Sequence, residues 1–322
     1  MKVLNDISGL LQKNFAVFTV VIALLAYFLP DLFLWAGPYM SILMGIVMFG
    51  MSLTMEMKDF KPLLTKPKAT IVGLSCVYLG SCAVTFLLVN LLNLPVGLKI
   101  GILMCAASPG GNITNVLTFI AKGDTPLSIG LTAIGTLIAP VVTPALCLLM
   151  VGAWTEVDGP GMIKTMIFSV IIPLLIGLAI KAYAKAAASK VQEFSPMISL
   201  LAISLMTGGL IAARKEALVG LDWRIIAGAL GFLAGSAAMS YAIAKLFHIG
   251  EYQVRAISIE AGFKNTVLSA MLAGVSFTNY PESALACIVT ALLAAVLGPV
   301  YANMLAKVPI RDNSVPQDGE AK

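Results

Sequence analysis

Two short stretches combine residue types that point to ion and anion chemistry. Residues 258–267 read SIEAGFKNTV, with a carboxylate at Glu260 and an ammonium at Lys264, Gly262 between them and Asn265 directly after. Residues 108–115 read SPGGNITN, in which Pro109, Gly110 and Gly111 precede Asn112, Thr114 and Asn115. Proline removes a backbone donor and glycine weakens a helix, so Pro109, Gly110, Gly111 and Gly262 mark candidate helix breaks. A broken helix leaves carbonyl oxygens free at the end of its first half and N–H groups free at the start of its second. Second halves starting near Asn112 and near Lys264 and Asn265 would offer partial positive charge to an anion. The freed carbonyls and side-chain oxygens suit a hard cation such as sodium.

Oxygen side chains cluster around these breaks. Thr114 and Asn115 open the second half of one segment. Ser128 and Thr132 follow four residues apart, on one helical face, with Thr136 one turn further. Taken singly, hydroxyls in an apolar helix pack or bond back to a carbonyl. Taken with Glu260, they read as a cation cage. Glu260 and Lys264 each cost about 2.5–3.5 kcal/mol at the centre of a membrane helix. In an unbroken helix their spacing would allow an ion pair. Buried pairs often add no stability over apolar replacements, so function is the better account of their presence.

The elements that must hold these residues are membrane helices. Of 322 residues, 59% are hydrophobic and 11% charged, against about a quarter charged in soluble domains. A span needs roughly 20 apolar residues, and the chain divides into ten such segments. They run over 14–29, 39–57, 69–92, 96–121, 126–152, 161–184, 195–213, 223–247, 251–277 and 281–306. No alternating pattern suggests a barrel. Residues 1–12 read as an amphipathic entry helix, and the polar tail beyond Lys307 as disordered at its end. Ten spans put both termini on one side. That side receives fifteen of the 21 Lys and Arg residues, Arg255 among them; the other receives five, and Lys264 lies within the membrane. The termini are therefore expected in the cytoplasm. The two interrupted spans are the fourth of the first five and the fourth of the second five. Matched interruptions in halves of opposite topology are a pointer to a transporter site.

Other classes fit less well. The net charge of +5 comes from short loops without interleaved aromatics, so nucleic acid is not expected as a partner. The five cysteines all fall in apolar segments and read as small packing residues, and a lone His248 offers no metal site or relay. An intramembrane enzyme would need an acidic metal motif or a nucleophile with its base; only Glu260 and one peripheral histidine are present. A channel also uses broken helices, but the Glu–Lys site suits alternating access better. Met40, Met44, Met48 and Met51 are read as packing before cavity lining, and Gly231 and Gly235 as a helix-packing pair. No cleavable signal is apparent.

With SPGGNITN in span four and EAGFKN in span nine, the chain resembles the bile acid:sodium symporter family over nearly its whole length. The resemblance implies an inverted five-helix repeat with crossed broken helices four and nine. It implies panel segments at 1–67 and 153–215, core segments at 68–152 and 216–307, and a cytoplasmic tail at 308–322. It implies a multi-pass protein of a bacterial-type inner membrane that carries an organic anion, pantoate-like or bile-acid-like, by alternating access. One sodium site would use Thr114, Asn115, Ser128, Thr132 and Glu260. The anion would meet Gly111, Asn112 and Asn265, with spans 1, 2 and 10 contributing. A second sodium site of the family would use a Gln where Lys264 stands and another near Val77, and neither is present. Lys264 is then a fixed cation standing in for the second sodium, a titrating group that makes coupling proton-based or mixed, or a partner for Glu260. One sodium and no organic cofactor are expected.

Overall fold

The computed structural model describes residues 15–219 and 222–310. The expected entry helix and the end of the tail, with Lys2, Lys13, Arg311 and Lys322, lie outside them. The described chain is an all-α polytopic membrane protein; among these residues there is no strand, only one isolated bridge between Gly110 and Lys264. The helices are α1 (Phe15–Phe28), α2 (Met40–Thr54), α3 (Pro67–Leu91), α4 (Val96–Ala107), α5 (Asn112–Ile120) and α6 (Thr125–Met150). They continue as α7 (Gly159–Tyr183), α8 (Lys185–Ala213), α9 (Arg224–Leu246), α10 (Glu251–Gly262), α11 (Thr266–Ser276) and α12 (Pro281–Lys307). Helix α8 starts ten residues before the apolar run that marks it.

Starts and stops follow local chemistry. Proline occupies the first turn of α3, α6, α7 and α12, where its missing N–H costs nothing. Asp124 caps α6, its Oδ1 accepting from the Leu127 N–H at 3.1 Å. Asn265 caps α11 in the same way through Leu268, also at 3.1 Å. Single π-turns interrupt α3 at Cys76–Gly80 and α7 at Ile167–Ile171. In the loop before α9, Arg224 holds the Asp222 carboxyl below its ordinary range by hydrogen bonding to it.

Helix α2 packs against α7 and α8, and α8 also covers α1. Elsewhere α10 packs on α9, α4 and α11 on α12, and α6 against α5 and α10. Thus the two interrupted spans, α4–α5 and α10–α11, are enclosed by neighbours, as non-helical backbone at membrane depth requires.

Arg255 is not the loop cation that charge counting suggests. Because α10 begins at Glu251, Arg255 falls on its second turn, fully buried. Its guanidinium donates to the Ala121 carbonyl at 2.8 Å, to Val308 at 2.7 Å and to Glu251 Oε1 at 3.3 Å. Glu251 also accepts from Tyr241 and pairs with Lys245. One side chain thereby ties the end of α5 and the end of α12 to the start of α10. Replacing Arg255 with Met is expected to destabilise the protein by about 3–5 kcal/mol, because carbonyls and Glu251 lose a buried partner; denaturant titration of the purified protein measures this.

Candidate functional site

The two interruptions meet. At the first, Ser108 leaves the helix (ψ 158°) and Gly111 is extended, and the chain turns helical again at Asn112. At the second, α10 stops at Gly262 and Phe263 is extended. The segments run antiparallel past one another: Gly110 bridges Lys264, and the Asn265 N–H donates to the Pro109 carbonyl at 3.0 Å. Ser108 and Ser269 share a hydroxyl–hydroxyl bond of 2.6 Å across the crossing. Freed carbonyls are met by hydroxyls: Ala107 by Thr143 at 2.7 Å, Met104 by Ser108 at 2.9 Å and Ala261 by Ser81 at 3.0 Å. Gly262 is needed where α10 presses on α9, because a Cβ there would lie 2.9 Å from Ala237 Cβ.

Glu260 sits fully buried under this crossing. Its Oε1 accepts from three hydroxyls: Thr114, Ser128 at 2.6 Å and Thr132 at 2.9 Å. Asn115 Oδ1 is 3.0 Å from Ser128 Oγ, and the Gly111 carbonyl is 2.5 Å from Thr114 Oγ1. The other carboxylate oxygen, Oε2, is buried without a hydrogen-bond partner. It lies against Gly110, where a Cβ would be 1.8 Å away, so only glycine admits it. Thr114, Asn115, Ser128, Thr132 and Glu260 are therefore brought together as an all-oxygen set. An orphaned buried carboxylate oxygen beside hydroxyls and carbonyls fits a hard monovalent cation, since an ion ligated by the hydroxyl oxygens would also supply the missing partner of Oε2. Among the described residues no His, Cys, Asp and Glu cluster suits a softer metal.

Thr118 belongs to the same cluster, its hydroxyl 3.2 Å from Ser128 Oγ. It follows Thr114 by one helical turn, and that spacing is the signal by which it is found. Thr136 bonds back to the Thr132 carbonyl instead.

Lys264 does not pair with Glu260. The helix between them ends at Gly262, so the regular one-turn spacing is lost. The ammonium is 4% exposed and donates to the Val77 carbonyl in the π-turn of α3, with the Tyr78 ring centroid 5.8 Å away. Tyr78 in turn donates to the Gly135 carbonyl at 2.7 Å, fixing the π-turn to α6.

A cavity of about 750 Å³ lies beside the crossing. Gly111, Lys264 and Asn265 form its floor, Met48 of α2 and Ile288 of α12 contribute, and α8 lines it with Ser199, Ile203, Met206 and Leu210. The α8 contribution is a mostly apolar helical face whose polar residues, Ser199 and Thr207, are ordinary for a membrane helix, which is why the sequence does not rank it; α1 contributes nothing to the lining described. The Asn112 side chain lies outside the described residues, although its backbone starts α5. Met48 lines the cavity, while Met40 and Met44 pack in the core.

The family model for the Sodium Bile acid symporter family matches residues 41–221. The chain belongs to that family. A similar relative is an uncharacterized sodium-dependent transporter, YocS, of Bacillus subtilis, 34% identical over 86% of this chain and 87% of the relative. Two others are named probable sodium/metabolite cotransporter BASS1, chloroplastic. The one from Oryza sativa is 28% identical over 96% of this chain and 76% of its own length. The one from Arabidopsis thaliana is 29% identical over 87% and 70%. Membership in this symporter family makes the chain a membrane transporter rather than an enzyme.

A methyl at Gly110 must displace Glu260 from the hydroxyl cluster. Gly110→Ala is expected to abolish any sodium-dependent rise in the thermal unfolding midpoint while the protein still elutes as a folded species by size exclusion.

Proposed function

We propose that the chain is a symporter that couples one sodium ion to the uptake of a small organic anion, pantoate-like before bile-acid-like. The observation that carries this reading is the convergence of Thr114, Ser128 and Thr132 on Glu260 Oε1 while Oε2 has no partner. Asn115 completes the set of oxygen ligands. The anion would be taken in the 750 Å³ cavity, where Gly111, Asn265 and the backbone donors that begin α5 and α11 face it. Spans carrying α1, α2, α7 and α8 would form a panel and the rest a core, the two halves being inverted repeats. Rocking of one against the other would give alternating access, with both termini in the cytoplasm of a bacterial-type inner membrane.

In the same reading Lys264 takes the role of a second sodium. Its ammonium occupies a backbone carbonyl in α3 that would otherwise be free to ligate a cation. A fixed charge there keeps the region between α3 and α10 electrostatically filled through the whole cycle. Among the described residues no carboxylate lies within 4.0 Å of Lys264, and this favours a second reading, in which the Glu260 and Lys264 region exchanges a proton instead. Proteoliposome uptake of a panel of carboxylates under sodium or proton gradients separates the two. The sodium reading expects uptake to follow the sodium gradient. Uptake that follows only the pH gradient, with no sodium-dependent thermal shift, overturns it.

Substitutions refine the test. Thr132→Ala is expected to raise the half-saturating sodium concentration about tenfold, the factor that corresponds to roughly 1.4 kcal/mol. Lys264→Gln is expected to make the sodium dependence of uptake steeper, with a Hill coefficient above one, by opening a second site. A Lys264 that only packs would leave ion dependence unchanged.

A further inference from the structure

The large cavity beside the crossing is open at one end and closed at the other. Of its lining residues, Ile113 and Val116 on α5 are 39% and 58% exposed, whereas Met206, Thr207 and Leu210 on α8 are buried. Helix α5 leads from the crossing to the side where Arg255 joins Ala121 to Val308 at the end of α12. The closed end is the opposite one, where α8 and α11 finish. There α8 packs on α11. Gly274 admits the contact, since a Cβ on it would lie 3.0 Å from Leu210 Cδ2 and 3.8 Å from Ala284 Cβ of α12.

One side chain bolts this end. Arg214 is the first residue past α8, one turn beyond Leu210. Its Nη2 donates to the Gly274 carbonyl at 3.0 Å. That carbonyl is among the last four of α11, the group that carries the partial negative charge of a helix end and lacks partners within the helix. The adjacent Nε–H is buried without a hydrogen-bond partner. Among the described residues no carboxylate lies within 4.0 Å of the guanidinium. Lys215, next in the chain, turns to the Tyr27 ring, 5.2 Å from its centroid. Nε–H and Nη2–H lie along one edge of the guanidinium, a fork that suits a carboxylate bidentately. Here one prong holds a neutral oxygen and the other holds none.

We propose that Arg214 is the latch of a gate at this end, outer in the orientation proposed above, and that the incoming anion works it. A carboxylate arriving from that side takes both prongs, replaces the Gly274 carbonyl and frees α11 from α8, which opens the cavity. A bidentate pair with a charged acceptor outweighs one bond to a neutral carbonyl, so the exchange favours opening only when an anion is there. Once the anion has moved on to the crossing, the guanidinium returns to Gly274 and closes the path behind it. This rests on the reading of the large cavity as an anion site, and the experiment separates the two claims.

Thr207→Cys places a thiol of similar size in the cavity wall below the latch, and the five native cysteines are all buried. In sealed vesicles of either orientation, a membrane-impermeant thiosulfonate is expected to reach this thiol readily from the side where α5 ends and slowly from the side where α8 ends. Adding Arg214→Met is expected to raise the slow rate about tenfold, the size of one hydrogen bond to a charged group. Arg214→Lys keeps one donor for Gly274 but has no fork. It is expected to keep the slow rate while raising the KM for pantoate uptake from the outer side about tenfold, with the half-saturating sodium concentration unchanged. An arginine that only caps α11 would move neither the labelling rate nor KM. Outer labelling of Arg214→Met at the parent rate, in protein that elutes as a folded species, overturns the latch, and an unchanged KM in Arg214→Lys overturns the exchange with the carboxylate. If the parent takes up no carboxylate, pantoate included, although Arg214→Met quickens outer labelling, the anion assignment of the cavity fails and the latch stands.

Discussion

The structure depends on keeping one carboxylate, that of Glu260, inside a membrane. A buried charge must be hydrogen-bonded or ligated, and the surroundings of Glu260 supply this from two helices at once: Thr114 from α5 and Ser128 and Thr132 from α6, all aimed at an oxygen on α10. That convergence needs the α4–α5 break to lie directly over α10. The break in turn needs Gly110, since any side chain there would occupy the place of Glu260 Oε2. The crossing of the two interrupted spans, the choice of glycine and the run of hydroxyls on α6 are consequences of a single electrostatic requirement.

The same break explains why two opposite charges four residues apart ignore each other. In a continuous helix Glu260 and Lys264 would share a face. Ending α10 at Gly262 sends Lys264 to α3, where a π-turn presents the Val77 carbonyl. Each charge then meets a separate set of neutral dipoles, Glu260 through Oε1 alone, and the two are not paired with each other. A direct ion pair would hold both side chains in one geometry and put an ammonium where an ion could otherwise meet a Glu260 oxygen. Separating the charges leaves Glu260 Oε2 without a protein partner and places the Lys264 side chain at the edge of the large cavity.

Much of this was readable from the chain because the signals were local. Proline, paired glycines and intramembrane charges mark the breaks, and apolar length marks the membrane helices. The hydroxyls Ser128 and Thr132 announce themselves by their one-turn spacing on an apolar helix. What escaped was set by tertiary placement. Arg255 counts as a loop cation in any tally of charges, and its burial follows only from where α10 begins. The α8 face that lines the large cavity consists of ordinary membrane residues such as Ile203 and Leu210. No one-dimensional pattern distinguishes them from residues that meet lipid. The π-turn at Cys76–Gly80 has no compositional mark either, although it decides where the Lys264 ammonium rests.

In the proposed symport the ion and the anion would have to sense each other, and α5 would provide the link. Gly111 lines the large cavity, while its carbonyl accepts from Thr114, whose hydroxyl also reaches Glu260. A hydroxyl has a single proton, so Thr114 cannot serve the peptide and the carboxylate fully at the same time. A cation in the cluster would draw the Thr114 oxygen as a ligand and turn its proton towards the Gly111 carbonyl, stiffening the peptide that opens α5. An anion against the first N–H groups of α5 would polarise that same peptide in the same sense. On the proposed reading each ligand would therefore favour the arrangement that suits the other, and by linkage the preference would be equal in both directions. The glycine-rich turn would in this sense be the joint through which one site acts on its neighbour, because the Gly111 peptide is shared between the cavity and the Thr114 hydroxyl.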